Sequence, residues 1–326
     1  MDYLKNPMAR YVPKHFEVEQ LCELYAIGDL VNIDEELGGL FNVNLKITTT
    51  SGQYVIRIHS GLSSKNHLNA EKVKLEKLLE HEIPVLIPLY TKEGYYFSKL
   101  HNRFVQLTYF VQGYSFNFSI EQVYNMGKLL KRFHDALMDA KEIPLPFWSN
   151  YPSNDVLKEG LQRLKENQKE LHKETDVKEV ERLYFKVMEQ WIGNDRYLTK
   201  SVIHGDWHPW NVLFNRNDEI KYILDFDFMQ KGECIHDMAY FLWAIRNEEN
   251  TEELGRHFLR GYGSLSIKEV ELLPLAIARA SLFFLCTSSF VANPAHELNK
   301  QIIEQKPYIE WLLSPDGKMR IKALAT

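Results

Sequence analysis

The sequence predicts an α+β protein with two lobes, a β-rich first third and a mostly helical remainder. Three observations support this prediction. The chain has 326 residues, which is long for one small domain. Apolar and β-branched residues alternate between positions 36 and 110, whereas apolar residues recur at helical spacing after Gly113. We therefore divide the chain into an N-lobe of residues 1–110 and a C-lobe of residues 111–326.

The elements of the N-lobe follow from turn residues and helix breakers. Two alternating segments flank Ser51-Gly52, a pair that favours a tight hairpin turn. The helix after this hairpin must end before Pro84, since proline cannot continue a helix. In chain order, the expected elements are a helix at 16–27, strands at Val43–Thr49 and Gln53–His59, a helix at Asn69–Glu80, and strands at Gly94–Leu100 and Arg103–Phe110.

The C-lobe is predicted to be helical, with three short strands near its middle. Its long segments carry apolar residues three and four positions apart, which is typical of helices with one buried face. The expected helices are Ile120–Ala140, Val156–Lys173, Val177–Ile192, Ile235–Arg246, Glu252–Tyr262, Ile267–Val291 and His296–Leu313. The expected strands are Ser201–Ile203, Val212–Asn215 and Ile220–Asp225.

The composition is that of an ordinary globular protein and argues against a nucleic-acid partner. Hydrophobic residues make up 45% of the chain and charged residues 25%, which allows sizeable cores. The formal net charge is −5 and the lysines are scattered among glutamates, so no basic surface is predicted. The three cysteines lie too far apart in sequence for a disulfide framework; they are Cys22, Cys234 and Cys286.

No membrane segment is expected, and we predict a cytoplasmic protein. The first residues, MDYLKNPMARYVPKHF, contain no apolar stretch typical of a signal peptide. The most apolar segment, Leu272 to Ala292, contains Arg279 and several hydroxyl residues. We therefore interpret this segment as a buried helix and not as a membrane span.

The stretch HGDWHPWN, residues 204–211, has two possible chemical interpretations. In the first, the alternating residues His204, Asp206 and His208 share one face of a strand and hold a metal such as zinc. Pro209 and the two tryptophans favour a loop over a regular strand, and no further His or Cys follows at metal-ligand spacing. The metal site is therefore an alternative that residue spacing alone does not remove.

The second interpretation is phosphoryl transfer. In a kinase catalytic loop, an Asp accepts the proton of the attacking hydroxyl and an Asn five positions later binds magnesium. Asp206 and Asn211 have this spacing. A second carboxylate should follow a short hairpin, and the segment NVLFNRNDEIKYILDFDF places Asp225 there. Since amide and carboxylate oxygens suit Mg²⁺, we predict Asp206 as the base and Asn211 and Asp225 as metal ligands.

A nucleotide site is then expected in the N-lobe. Gly38 and Gly39 precede a predicted strand, as in a turn that covers phosphates, and Asn42 is expected to belong to the same site. Arg57, on the following strand, is placed to bind the α- and β-phosphates. Glu71 would orient Arg57 from the first turn of the next helix, where the helix dipole also favours an acid. We expect ATP as the phosphate donor, with GTP as the alternative.

HGDWHPWN followed by ILDFDF resembles the aminoglycoside phosphotransferase and choline kinase superfamily. The segments GLFNVNLKITTTSGQYVIRI and EKVKLEKLLEHEIPV are similar to its homoserine kinase branch, and GKLLKRFHDAL and ECIHDMAYFL also look like this superfamily. The resemblance covers roughly residues 30–265, and its specific motifs lie within residues 204–227. It implies a two-lobed protein-kinase-like fold and a small-molecule kinase that uses ATP and Mg²⁺.

The resemblance also implies roles for individual residues. Asp206 would be the catalytic base, Asn211 and Asp225 would bind magnesium, and Asp237 would brace the catalytic loop. Arg57 stands where most kinases have Lys, with Glu71 as its partner. A guanidinium binds phosphate differently from an ammonium. Asp227 occupies the position of the Gly in the kinase D-F-G motif.

The phosphate acceptor is predicted to be a small molecule with a hydroxyl group. Only twelve positions separate Asp225 from Asp237, which leaves no room for the peptide platform of a protein kinase. Aromatic side chains in the C-lobe would suit an amine-bearing alcohol through cation–π contacts. The candidate acceptor-site residues are Trp207, Trp210, Tyr240, Trp243 and Arg246. The alternative function is a non-catalytic structural or binding protein, as in spore-coat members of this superfamily.

Overall fold

The computed structural model of the chain describes residues 10–39, 41–167, 174–291 and 293–325. The N-terminal stretch that we searched for a signal peptide lies mostly outside these residues. So do the last residues of the helix predicted at Val156–Lys173. The described residues belong to two compact units, and each is described by itself below.

The first compact unit combines one long segment with two short ones from later in the chain. A backbone hydrogen bond of 2.8 Å from Ile223 N to Pro84 O explains why a later segment belongs to it. The division therefore differs from a single cut after residue 110. The assignment of residues 1–110 to nucleotide binding and of 111–326 to catalysis stays a prediction. The three segments are Met1–Tyr114, Ile143–Phe147 and Lys221–Leu224.

A five-stranded antiparallel sheet with strand order β1-β2-β3-β5-β4 forms the centre of the first unit. Apolar residues alternate along β2 and β3, so one face of the sheet is buried, with Ile47 and Ile56 fully inaccessible. The elements are α1 (His15–Tyr25), β1 (Leu30–Glu36), β2 (Val43–Thr49), β3 (Gly52–Ile58), α2 (Lys65–Glu80), β4 (Ser98–Leu100) and β5 (Arg103–Tyr109).

Two details of the first unit correct the sequence prediction. The edge strand β1 is absent from the prediction because its sequence, LVNIDEE, is mostly exposed and lacks apolar alternation. Helix α2 begins four residues earlier than predicted, because the Ser64 hydroxyl accepts a hydrogen bond from His67 N at 3.2 Å and caps the helix there. Glu71 therefore lies in the second turn of α2 and not in the first.

The second compact unit is mainly helical, as predicted. Its strands β6 and β9 pair antiparallel. Its helices are α3 (Ile120–Leu137), α4 (Asn154–Glu166), α5 (Glu174–Trp191), α6 (Ile235–Ala244), α7 (Thr251–Tyr262), α8 (Ile267–Thr287), α9 (Pro294–Leu313) and α10 (Pro315–Lys322). Its strands are β6 (Lys200–Ile203), β7 (Val212–Phe214) and β9 (Gln230–Glu233), of which β9, like helix α10, is not among the predicted elements. The strand β8 (Ile220–Ile223) lies mostly in the first unit.

Helix α8 forms the core of the second unit and packs against α4, α5, α6 and α9. The segment Ile267–Phe290 is long and apolar enough to cross a membrane, but 83% of its most apolar window is buried inside the protein. Arg279 is buried within it and lies 4.2 Å from the centre of the Trp191 ring, where the ring face stabilises its charge. The interpretation of this segment as a core helix is confirmed.

Candidate active site

The loop HGDWHPWN directly follows β6 and ends in a short 3₁₀ helix, Pro209–Asn211. Gly205 has a φ of 81°, a left-handed conformation that residues with a Cβ rarely adopt. A Cβ at this position would also lie 2.4 Å from the carbonyl oxygen of Phe228. The backbone of the loop therefore requires glycine immediately before Asp206.

Asp237, in the first turn of α6, holds the start of this loop. Its Oδ2 accepts a hydrogen bond from His204 N at 2.8 Å, and its Oδ1 accepts one from Gly205 N at 2.9 Å. The side chain of Asp237 is fully buried. Both carboxylate oxygens are thus used to fix the backbone that carries Asp206, the role that the resemblance implied for Asp237.

His134 of α3 completes this buried network. Its Nε2 lies 2.9 Å from Asp237 Oδ2, and its Nδ1 lies 3.0 Å from the Tyr262 hydroxyl. Burial raises the pKa of Asp237, but the hydrogen bond and charge of His134 and the charges of His236 and His204 together lower it by more, so its pKa lies below the ordinary value. Burial alone would lower the pKa of His134, yet its neighbours raise it well above the ordinary value. Asp237 and His134 therefore form a buried ion pair.

The carboxylate of Asp206 is held from two sides. Asn211 Nδ2 donates to Asp206 Oδ2 and to the Asp206 carbonyl oxygen, each at 3.0 Å. Asn150 Nδ2 donates to Asp206 Oδ1 at 2.9 Å. Asp206 is 9% exposed, so that these bonds act in a largely desolvated site. The structure thus brings together Asp206 and Asn211, as their spacing predicted, and adds Asn150.

Tyr240 of α6 is the third group bound to this carboxylate. Its hydroxyl accepts a hydrogen bond from Asn150 Nδ2 at 3.0 Å and hydrogen-bonds to Asp206. Burial and the charge of Asp206 raise the pKa of the Tyr240 phenol well above its ordinary value, so the phenol stays protonated and donates. Burial raises the pKa of Asp206, but the contact and charge of His208, the charge of His204 and the hydrogen bond of Tyr240 together lower it by more. Asp206 is therefore ionised at neutral pH.

The geometry does not favour the alternative of a metal held by His204, Asp206 and His208. His204 is fully buried, its Nδ1 lies 3.3 Å from Asp206 N, and its ring packs edge-on against Trp207. His208 Nε2 lies 3.5 Å from Asp206 Oδ2. Among the described residues, no three His, Cys, Asp or Glu side chains form a group that could hold a metal ion.

The two predicted magnesium ligands both present suitable oxygens. Asn211 uses its Nδ2 for Asp206, which leaves its Oδ1 for a cation. Asp225 follows β8 and has a φ of 61°, an uncommon left-handed conformation for a residue other than glycine. Its side chain is half-buried. An amide and a carboxylate oxygen are a donor set that fits Mg²⁺, and the role of both residues stays a prediction.

The predicted nucleotide turn lies between β1 and β2 in the first unit. Gly38 and Gly39 have φ values of 89° and 122°, and a Cβ on Gly39 would lie 2.7 Å from Asn42 O. The turn therefore needs glycine at position 39. The Asn42 side chain is buried, and its Oδ1 accepts a hydrogen bond from Ser60 N at 2.9 Å. Its predicted contact with a nucleotide stays untested.

Arg57 and Glu71 also lie in the first unit. Arg57 is half-buried on β3, where it pairs with Asn44 of β2 and Gln106 of β5 in the strand register. Glu71 is 5% exposed on the inner face of α2. A buried acid at this place agrees with a role in orienting a cation, and the pairing of Glu71 with Arg57 stays a prediction.

The candidate acceptor residues differ in their surroundings. Trp207 is 1% exposed and packs against Phe133, so it belongs to the core, whereas Trp210 is 52% exposed and packs against His208. Tyr240 contacts Asp206, and its ring stacks on Trp243 with 5.4 Å between ring centres. Arg246 lies over the Trp243 ring at 4.3 Å.

Sequence reasoning missed Asn150 and His134. His134 had a local signal, because it lies on the apolar face of an amphipathic helix next to Phe133, where a polar residue needs a buried partner. Asn150 had none, since the segment PFWSNYP has no helical or strand period. Its contact with Asp206 arises only from the folded chain.

The sequence profile of the phosphotransferase enzyme family matches residues 36–273 of this chain. Curated relatives include homoserine kinases. The enzyme of Rhodopseudomonas palustris (strain BisB18) is 26% identical over 289 residues, which cover 82% of this chain and 83% of the relative. The enzyme of Sinorhizobium fredii (strain NBRC 101917 / NGR234) is 24% identical over 323 residues, which cover 94% of this chain and 87% of the relative.

Solved structures show the same fold. The amicoumacin kinase hAmiN, in complex with AMP-PNP, Ca²⁺ and Ami, matches with a TM-score of 0.73 and 14% identity over 98% of this chain and 99% of its own. The microcompartment-associated aminopropanol kinase matches with a TM-score of 0.66 and 14% identity over 96% and 99% of the two chains. The choline kinase LicA of Streptococcus pneumoniae matches with a TM-score of 0.59 and 15% identity over 90% and 100%.

These matches confirm the two-lobed kinase-like fold and the superfamily that the motifs indicated. The family match includes the loop around Asp206 and its brace Asp237. The chain therefore belongs to the phosphotransferase enzyme family and is an enzyme that transfers a phosphoryl group to an alcohol.

Proposed function

We propose that this enzyme transfers the γ-phosphate of ATP to a hydroxyl group of a small, amine-bearing molecule, with Asp206 as the base. The observation that carries the proposal is the fixed and ionised carboxylate of Asp206, held by Asn150, Asn211 and Tyr240. An ionised carboxylate can accept the hydrogen bond of the attacking hydroxyl and orient its oxygen toward the phosphorus. The buried ion pair behind the loop keeps this carboxylate in place.

We propose separate sets of residues for binding magnesium and for binding the nucleotide phosphates. Asn211 Oδ1 and the carboxylate of Asp225 would hold Mg²⁺, because both are hard oxygen donors. When bound, magnesium supplies positive charge that offsets the charge of the phosphates. In the first unit, the turn at Gly38-Gly39 and the guanidinium of Arg57 would bind the phosphates, with Glu71 orienting Arg57. ATP is the proposed donor, since the solved structure of the amicoumacin kinase contains the ATP analogue AMP-PNP.

An amine-bearing acceptor is supported by side chains near Asp206. His208 packs against both Trp210 of the same loop and Tyr240 of α6, and aromatic faces attract ammonium groups. Several relatives are named for acceptors that carry an amine: the homoserine, aminopropanol and choline kinases. The proposed compartment is the cytoplasm, in line with the absence of a disulfide among the described cysteines, all of which are free.

The proposal is tested with binding and turnover measured separately. Thermal unfolding with ATP or GTP, each with and without Mg²⁺, reports binding, because a ligand at a hundredfold its dissociation constant stabilises by about 2.7 kcal/mol. Turnover is measured as phosphate transfer to homoserine, choline and 1-amino-2-propanol. We expect Asp206→Asn to keep the nucleotide-induced shift and to lose at least about a hundredfold of kcat, the usual contribution of a general base.

Two further variants make the result specific. Asp225→Asn should lose the Mg²⁺-dependent part of the shift, whereas Asp135→Asn, an exposed acid paired with Lys131, should behave as wild type. If neither ATP nor GTP shifts the unfolding temperature of the wild type, the proposed donor and the proposed nucleotide-binding residues are wrong. If Asp206→Asn transfers phosphate at the wild-type rate, Asp206 is not the base.

A further inference from the structure

A cleft of about 510 Å³ lies in the second unit between the end of α6, the start of α7, and helices α9 and α10. This volume is within the range of sites for small organic ligands. The family comparison, the motifs and the proposed base do not account for it, because the lining residues include neither Asp206 nor any residue of its loop. Its walls combine apolar side chains with a small number of charges.

Arg246 is the cation of the cleft that has no anion. Its Nη1 donates to Trp243 O at 2.9 Å, and no carboxylate among the described residues lies within ion-pair distance of it. The side chain is half-buried over the Trp243 ring, and burial lowers the pKa of its guanidinium by more than the charges of its neighbours, Glu304 among them, raise it. The guanidinium of Arg246 could donate two parallel hydrogen bonds to a carboxylate bound in the cleft.

Glu248 is the matching anion. It is half-buried, lines the same cleft, and has no Lys, Arg or His partner within ion-pair distance among the described residues. The other two charges of the lining neutralise each other, because Arg320 and Glu252 form an ion pair. Arg246 and Glu248 therefore leave one positive and one negative group open toward the cleft, close in sequence but not paired with each other.

The remaining walls are apolar. Leu242, Leu324 and the rings of Tyr308 and Trp311 line the cleft. These surfaces suit a hydrocarbon chain, since burying apolar area is favourable. A ligand that satisfies all three features carries a carboxylate for Arg246, an ammonium for Glu248 and an apolar side chain. We propose that this cleft binds a small zwitterion with an apolar body, of the kind represented by an α-amino acid.

The cleft is connected to the proposed base by stacked side chains. Arg246 lies over Trp243, Trp243 stacks on Tyr240, and Tyr240 bonds to Asp206. The zwitterion has two possible sources, the phosphate acceptor itself or a separate effector. The two sources share the same recognition chemistry and differ in whether the bound molecule is phosphorylated.

The test uses L-norleucine and its two truncated analogues, hexanoate and n-pentylamine, with thermal unfolding and calorimetric titration of the full chain. Norleucine has both charges, hexanoate has only the carboxylate, and pentylamine has only the ammonium. We expect norleucine to bind at least about tenfold more tightly than either analogue, the effect of one charge-assisted hydrogen bond. Arg246→Gln should weaken norleucine and hexanoate but not pentylamine, and Glu248→Gln should weaken norleucine and pentylamine but not hexanoate.

Glu253→Gln is the matched control, because Glu253 is exposed on α7 and does not line the cleft, and it should leave norleucine binding unchanged. Norleucine that fails to bind the wild type, or that binds Arg246→Gln and the wild type equally, overturns the proposal. Binding is measured without nucleotide and repeated on Asp206→Asn, so its outcome is independent of the proposed catalysis. L-homoserine phosphorylated in an Arg246-dependent way would identify the acceptor as the source; binding without phosphorylation would identify an effector.

Discussion

The charged residues at the two ends of helix α6 differ in whether the protein supplies a partner of opposite charge. At its start, Asp237 is fully buried and both of its oxygens accept hydrogen bonds, from His204 N, Gly205 N and the His134 ring. Just past its end, Arg246 is half-buried and has no anionic partner among the described residues. Both charges have the sign that the helix dipole favours at that end. The dipole therefore does not explain why one is satisfied and the other is open.

This difference distinguishes a charge that stabilises the fold from charges that can bind a ligand. A buried charge with every hydrogen bond filled has no capacity left for a ligand, and its removal exposes the partners that it held. A half-buried charge without a partner has a desolvation cost that a ligand can offset. Asp237 thus acts on catalysis through the backbone of the Asp206 loop, whereas Arg246 and Glu248 remain free to recognise a ligand.

The largest effect is expected on the free energy of unfolding, from replacing Asp237, the fully hydrogen-bonded charge at the start of α6. Asp237→Asn keeps the size of the side chain but leaves the His134 imidazolium without its anion, so the free energy of unfolding should fall by about 3–5 kcal/mol, as for other broken buried pairs. Arg246→Gln, at the open end, should change it by only about 1 kcal/mol, because it loses no ion pair but only the hydrogen bond to Trp243 O and the contact with the Trp243 ring. Chemical denaturation of both variants measures this contrast. Equal losses would contradict the distinction between the two ends.

The elements of the fold were largely predictable because they depend on local patterns. Helical period and proline or glycine breakers gave α3, α7 and α8 within a few residues of their observed bounds. The edge strand β1 escaped prediction because it is mostly exposed, so its side chains carry no apolar alternation. The strand β1 is stabilised by its backbone pairing with β2, and the periodicity of its own residues does not predict that pairing.

From residue spacing alone, the candidate site was predictable only where its residues are close in sequence, and the brace Asp237 was expected only from the family resemblance. Asp206 and Asn211 share one loop, so their spacing was enough to place them together. Asn150 contacts Asp206 across 56 positions, and His134 contacts Asp237 across 103 positions, and neither contact follows from a local pattern. The unpaired charges of the cleft could not be identified from the sequence either, because whether a charged side chain has an ion-pair partner depends on the folded structure.

A smaller effect, on kcat, is expected from removing one hydrogen bond to the carboxylate of Asp206 while the carboxylate itself is kept. Tyr240→Phe deletes one hydrogen bond to the ionised form of Asp206, so kcat should fall about tenfold, the equivalent of about 1.4 kcal/mol. The pKa of Asp206 should rise, which moves the acidic limb of the kcat profile to higher pH, with the KM for ATP unchanged. Asn150→Ala should act in the same direction, because Asn150 bonds to both side chains.

Tyr25→Phe is the control for this experiment. Tyr25 is also a buried phenol, but its hydroxyl donates to Val105 O in the first unit, at 2.9 Å. Its loss should affect stability and leave the pH profile of kcat in place. If the pH profile of kcat is also unchanged in Tyr240→Phe, Tyr240 contributes only to packing.

The smallest effect concerns the pH dependence of the buried pair. The pKa of Asp237 is lowered, so its contribution to stability is present above the ordinary Asp value and is lost as pH falls through the folded value. The pKa of His134 is raised, so its contribution is complete below the ordinary His value and is lost as pH rises through the folded value. The pair should therefore stabilise the fold most between these limits.

His134→Gln should flatten the alkaline decline of the free energy of unfolding, whose slope from one proton is at most about 1.4 kcal/mol per pH unit. His15→Gln should leave the decline unchanged, because His15 is exposed and its contact with Glu19 is 3.5 Å long. Urea denaturation from pH 6 to 9 measures both slopes, and this range begins near the ordinary pKa of His, about 6.5. Identical slopes in wild type and His134→Gln would mean that His134 is neutral, and the contrast between the ends of α6 would then rest on the hydrogen bonds of Asp237 alone.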